Sequence, residues 1–349
     1  MVNAGKARVT VGVLAVCIWC VLPGIVKGDE VTIPEIQYTE SPDGVSPYNG
    51  KIVDCGGGVV VARLPGSRPR LFVQDPNASG GWAAIQVKGW TSDAFATVGV
   101  GDWVRFQQIF VEEFRGTTLL QYWDQNPDDT RPILKVVSQG HNLPRPLVVD
   151  ANQIQAPEYR LQDDAWVVAD HRAERFESML LRVRDVAVLA QGLGKAQDNY
   201  SLQPFREPHD AGALAWASDY LDVDRPKADL YLPAVQAEQR FRAVTGVLEQ
   251  YTNLGDGFDY YQLLTLSTES LTELCPADLD RDGDVDLRDY SLFVEQLLLP
   301  ASAPKGESYR AADLNHDGAV DPADLVAFNE AWQKADLNGD GVVNELDLD

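Results

Sequence analysis

The chain has 349 residues, 45% of them hydrophobic, and a formal net charge of −24. That length suits two or three domains, and the apolar fraction excludes a chain disordered throughout. The charge argues against nucleic acid as a partner, since phosphate backbones repel such a surface, and favours metal cations.

At the N-terminus Lys6 and Arg8 precede an almost unbroken apolar run, Val9 to Leu22, which Pro23 and Gly24 end. The run has 14 residues, fewer than the ~20 needed to span a bilayer. Residues 1–28 are therefore expected to be a signal peptide, with the mature protein secreted or held at the cell surface and no membrane span in the mature chain. Removing them takes away Lys6, Arg8 and Lys27 and leaves a charge of −27. Cys55 and Cys275 then remain, and their wide separation leaves open whether they pair.

From about 31 to 270 short runs rich in Val, Ile, Phe and Tyr alternate with clusters of Gly, Pro, Asn and Asp, a β pattern. Val59 to Ala62, Arg70 to Val73, Ala84 to Val87, Trp103 to Val111 and Leu180 to Leu189 are the clearest strands. Breakers from Ser138 to Pro146 divide the region into expected domains at 31–140 and 144–272. Each half opens on a similar strand, one starting at Asn49 and running to Ala62, the other starting at Phe176. Each later shows a Gly-containing strand and an aromatic hairpin: Val100 to Phe106 then Phe114 to Leu120, and Arg242 to Leu248 then Phe258 to Leu264. About five strands per half predict a small barrel. With Tyr48-Asn49-Gly50-Lys51, Leu71-Phe72-Val73-Gln74-Asp75-Pro76, Val100-Gly101-Asp102 and the Ser138 to Pro146 linker, the region resembles the tandem OB-fold modules that accompany extracellular bacterial nucleases and other secreted enzymes. That resemblance implies a fold and no chemistry, because the catalytic domain of that family is a separate one.

The sharpest signal is C-terminal. An EF-hand loop places oxygen ligands at positions 1, 3, 5, 9 and 12, a backbone carbonyl at 7 and Gly at 6, because Ca²⁺ wants six to eight oxygens about one centre. Three segments fit: Asp278, Asp280, Asp282, Asp284, Asp286 and Asp289 in loop 1; Asp313, Asn315, Asp317, Ala319, Asp321 and Asp324 in loop 2; Asp336, Asn338, Asp340, Val342, Asn344 and Asp347 in loop 3. Position 6 is Gly283, Gly318 or Gly341, and position 8 is Val285, Val320 or Val343, the apolar residue that packs paired loops. Helices are expected after loop 1, with a stripe of Tyr290, Phe293, Val294, Leu297 and Leu298, and after loop 2, with Leu325, Val326, Phe328 and Trp332. Leu at position 2 and Asp at position 12 make residues 275–349 resemble dockerin type I repeats, which implies Ca²⁺ as cofactor and a cohesin-like partner. Three loops where a dockerin has two, and unlike residues at positions 10 and 11, depart from that pattern. Which two loops pair is open from spacing alone.

No catalytic residue is assigned. His141, His171, His209 and His316 form no metal-binding His pair, and the chain has no Gly-x-Ser-x-Gly or phosphate-binding loop. Asp170-His171-Arg172 is read as a hydrogen-bonded histidine ahead of an acid–base fragment. Trp82, Trp90, Trp103 and Trp123 fall in the first barrel, where they pack the core and rim or stack sugars or bases. Asn77-Ala78-Ser79 and Asn199-Tyr200-Ser201 match a glycosylation sequon.

The expected fold is mainly β, two tandem OB-like barrels, plus a small α-helical EF-hand or dockerin-like domain at 275–349. The expected function is a secreted, calcium-binding, non-catalytic binding or scaffold protein whose tail mediates docking. The alternatives are a secreted hydrolase of polysaccharide or nucleic acid, and a sugar- or nucleic-acid-binding module built on the barrels.

Overall fold

The computed structural model describes residues 30–162, 165–191, 200–204, 215–218, 235–253, 258–266, 270–280, 282–300 and 303–348. The expected signal peptide, His209 and Asn199 lie outside the described residues.

The first barrel is built from β1 (Ile52–Leu64), β2 (Arg70–Gln74), β3 (Ala84–Gly89), β4 (Trp103–Phe114) and β5 (Thr117–Tyr122). Neighbouring strands run β1-β2-β3-β5-β4, and β1 also pairs with β4, so the five close into a ring. Only β3 and β5 pair in parallel. This is the Greek-key order of an OB-type barrel, and β6 (Ile133–Ser138) extends it beside β4. One strand can border both β2 and β4 because β1 bends. Its register with β4 shifts between Val53 and Cys55 and again between Cys55 and Gly58. Gly57 sits there at φ +67°, where a Cβ would fall 1.7 Å from the Val104 carbonyl oxygen, so glycine is required. Arg115 and Gly116, at φ 60° and 82°, make the two-residue turn from β4 to β5, with both residues left-handed as a tight hairpin needs. Helix α1 (Ile33–Gln37), held by a reciprocal cap between Thr32 and Glu35, buries Ile33 and Ile36 in the barrel core with Val60, Leu71, Phe106 and Leu120.

The second barrel repeats that ring. Strands β10 (Leu180–Gln191), β11 (Tyr200–Pro204), β12 (Ala215–Ser218), β14 (Phe258–Leu264) and β13 (Arg240–Asn253) follow one another, and β13 closes on β10. Here too the single parallel pair within the ring is the third strand with the fifth, β12 with β14. Strand β7 (Leu147–Asp150) adds to β10 in parallel, β15 (Leu271–Glu273) adds to β13, and β8 (Glu158–Gln162) with β9 (Ala165–Asp170) forms a separate hairpin. The strand expected to start at Phe176 starts instead at Leu180. Glu174–Phe176 is a 3₁₀ turn that buries Glu174 and Phe176.

The barrels meet through both apolar and polar groups. Val61, Ala62, Leu64 and Phe72 of the first pack against Leu180, Val247 and Leu264 of the second. Beside them Arg70 pairs with Glu249, whose carboxylate also accepts from Gln86 at 3.0 Å and Gln262 at 2.9 Å. Thr117 Oγ1 donates to the Gln250 carbonyl at 2.7 Å, and the Leu180 amide donates to Gln74 at 3.0 Å.

The tail carries α2 (Leu287–Leu297), α3 (Glu307–Ala312), α4 (Pro322–Ala335) and a 3₁₀ turn at Glu345–Leu348. Phe293 and Phe328, with ring centroids 5.3 Å apart, join Val285, Val320 and Val343 in its core. The expected stripe on α2 is only partly inward: Phe293 is buried, while Leu298 is 74% exposed.

Candidate metal centres in the tail

The three acidic loops fold alike because their short side chains bind their own backbone. In loop 1 Asp278 accepts from the amides of Asp282 at 3.1 Å and Gly283 at 3.0 Å. In loop 2 Asp313 accepts from Asp317 at 3.1 Å and Gly318 at 2.9 Å. In loop 3 Asp336 accepts from Asp340 at 3.1 Å and Gly341 at 2.9 Å. The glycines stand at φ 94°, 91° and 86°, a region a side chain resists. At the far end the twelfth residue reaches back: Asp289 accepts from Leu279, Asp280 and Asp286, Asp324 from Asn315 and Asp321, and Asp347 from Asn338 and Asn344. Asp286 and Asp321 also cap α2 and α4 in reciprocal boxes with Asp289 and Asp324. Loops 1 and 2 thus place their last two oxygen-bearing side chains at a helix start, which favours negative charge.

In loop 1 the carboxylates of Asp278, Asp280 and Asp282 lie within 4.8 Å of one another, as do those of Asp284, Asp286 and Asp289. Oxygens at 2.3–2.6 Å from one Ca²⁺ are spaced on this scale. Burial, then the charge of Asp289, pushes the Asp278 carboxyl up to about 7. Burial likewise raises Asp280, next to Asp282, and Asp289. Crowded carboxylates that resist ionisation in a half-buried loop could hold a metal ion, whose charge would offset their repulsion. The donor set, all hard oxygen, fits Ca²⁺ and not a thiolate- or imidazole-seeking metal. Loop 2 replaces one carboxylate, with Asn315, and loop 3 replaces two, with Asn338 and Asn344; at position 7 Ala319 and Val342 offer only a backbone carbonyl.

The structure resolves which loops pair. Val285 and Val343 exchange backbone hydrogen bonds of 2.8 and 3.2 Å, so loop 1 pairs with loop 3. In loop 2 the Val320 amide donates instead to the Tyr309 hydroxyl at 2.8 Å. Sequence reasoning could not separate these outcomes, because all three loops carry valine at position 8. It also missed Arg242 on β13, which donates to the Asn344 carbonyl and lies 3.7 Å from Asp347. Nothing local marks that arginine.

The remaining candidates have structural surroundings. Cys55 is a buried thiol whose burial pushes its pKa up to about 12, and Cys275 is a separate thiol within the tail. His171 bonds Glu174 at 3.0 Å, and Tyr261 donates to the same carboxylate at 2.6 Å. The four tryptophans do not form one group. Trp90 meets Trp123, Trp103 meets His141, and Trp82 meets Tyr38.

Paired OB-type barrels followed by an acidic, helix-capped loop domain define a mainly β protein with an EF-hand-like tail. Residues 276–330 match the dockerin type I domain. The chain therefore carries at that place a protein-docking module of a kind that typically binds calcium and takes cohesin as its partner. The match takes in loops 1 and 2 and stops before loop 3. No curated protein matches the chain. Among solved structures it is similar to the Ifi202 HINa domain, crystallised in complex with 20-base-pair double-stranded DNA, at 6% identity over 61% of this chain and 92% of that chain. The TM-score is 0.28, too loose a likeness to carry an argument. Among the described residues no helix is long and apolar enough to cross a membrane.

Proposed function

We propose that the chain is a secreted, non-catalytic calcium-binding scaffold, organised as a signal peptide (1–28), two barrels (31–140 and 144–272) and a docking tail (275–349). The tail presents its partner, a cohesin-like protein, with a surface that forms only when calcium is bound. The ligands are Asp278, Asp280, Asp282, Asp286 and Asp289 with the carbonyl of Asp284 in loop 1, and the corresponding residues of loops 2 and 3. The observation that carries this reading is the threefold recurrence of one hydrogen-bond network around a left-handed glycine, joined to the dockerin match. Without a cation the clustered carboxylates repel one another, so metal binding and tail folding are one equilibrium.

Calorimetry of the full chain with Ca²⁺ tests it. Three ions are expected, and Asp278→Ala, Asp313→Ala or Asp336→Ala should each remove one. An unchanged stoichiometry in any of them refutes that loop's assignment. Capture of immobilised cohesin should then require calcium and disappear in Asp278→Ala.

A further inference from the structure

Loop 3 lies beyond the dockerin match, yet it touches both the rest of the tail and a barrel. Its Val343 bridges to Val285 of loop 1 and sits in the tail core. Its outer end is met by Arg242, which rises from β13 and is 6% exposed. Arg242 Nη2 donates to the carbonyl of Asn344, position 9, and stands 3.7 Å from Oδ2 of Asp347, position 12. Asp347 is 2% exposed. Asp289 and Asp324 make the same amide contacts in their loops, but among the described residues no barrel arginine reaches either of them. Around this contact the barrel and α4 border a cleft of about 740 Å³ lined by Arg182, Glu273, Cys275, Glu330 and Lys334.

We propose that loop 3 is a calcium site whose C-terminal end, at Asn344 and Asp347, fastens the helical tail to the second barrel, with Arg242 as its positioning residue. The proposal rests on reading the loops as calcium sites and goes beyond it by giving the third loop a task other than docking. Two opposing effects meet at Arg242. Its charge, close to a ligand oxygen, disfavours a dication. Its hydrogen bond to Asn344 holds the backbone that carries the position-9 and position-12 ligands. The second effect wins, because a ligand carboxylate buried to this degree needs a fixed orientation, and loss of such outer partners lowers metal affinity by ~10–100-fold. Coupling is mutual: whatever calcium adds to the grip of Arg242, Arg242 adds to the grip on calcium.

Hydrogen exchange of the wild-type full chain, with and without Ca²⁺, reads the coupling directly. Calcium is expected to slow exchange in β13 around Arg242 and in β15 as well as in the loops. Arg242→Gln should keep three ions by calorimetry, weaken one of them about ten-fold, and abolish the calcium-dependent slowing in β13 and β15. Arg242→Lys should recover part of both. Wild-type protein that binds three ions with no change in β13 or β15 overturns the proposal and leaves the loop assignment standing, and so does an Arg242→Gln chain identical to wild type in both measurements. Wild-type protein that takes up no calcium overturns the loop assignment itself, and this coupling with it. The wild-type exchange comparison stands even if the variant fails to fold.

Discussion

Gly57 and Gly50 both have positive φ, +67° and +80°, but their surroundings differ. A methyl group on Gly57 would strike the Val104 carbonyl, while nothing lies within 4 Å of one on Gly50. Gly50→Ala should therefore cost only the ~1–2 kcal/mol of a left-handed backbone. Gly57→Ala should cost clearly more, because β1 can no longer bend between β2 and β4. Urea denaturation of the two variants checks the difference, and equal losses would show that the bend is not built on this glycine. The loop residues were legible at this scale. In each loop the first aspartate accepts from the amides four and five positions on and the twelfth residue reaches back to the third, contacts within twelve positions that spacing alone suggests. Arg242 was not legible, since its partners lie about a hundred positions away.

At the level of elements, the bridge between Val285 and Val343 makes loops 1 and 3 one unit. Val343 is fully buried, so Val343→Ala should destabilise the tail by about 2 kcal/mol and weaken calcium at loop 1 as well as loop 3, leaving loop 2 least affected. Calorimetric titration separates the sites; a loss confined to loop 3 would mean that the bridge transmits nothing. The strands were readable from alternation and breakers, and most were found with their ends too short. Phe176 misled because an apolar residue before a strand looks like its beginning. In fact the 3₁₀ turn there is fixed by Glu174, which must reach Tyr261 and His171. The β8–β9 hairpin was not singled out, as its β8 strand buries none of its residues and so lacks a patterned face.

Across the whole molecule, the junction of the two barrels holds three carboxylates, Glu113, Glu174 and Glu177. Glu113 accepts from the Ser46 amide at 2.9 Å and from the Thr118 hydroxyl, and Glu177 accepts from the Thr118 amide at 3.1 Å. The other oxygen of Glu177 is buried with no hydrogen-bond partner. Burial pushes the Glu113 carboxyl up to about 7, and burial with the charges of Glu174 and Glu113 raises Glu177. Carboxyls raised in the folded state bind more protons folded than unfolded, so stability falls as pH rises from the ordinary 4.5 through about 7. In saturating calcium, which removes the loops from the titration, Tm should be higher near pH ~5 than near pH ~8. Glu177→Gln should flatten that slope and exceed wild type at the higher pH. A wild-type Tm that rises over this interval would contradict the assignment. None of this was visible in the sequence, where a chain with 53 acidic residues gives no reason to single out three.

The bridge between Val285 and Val343 also has a consequence in time. It closes a span that contains all of loop 2, α3 and α4, whereas loop 2 closes on residues it can reach at once. Closing the longer span carries the larger entropic barrier, and distant contacts form late. Refolding from the middle outward follows. Loop 2 is expected to order first and the pairing of loops 1 and 3 to complete the tail last.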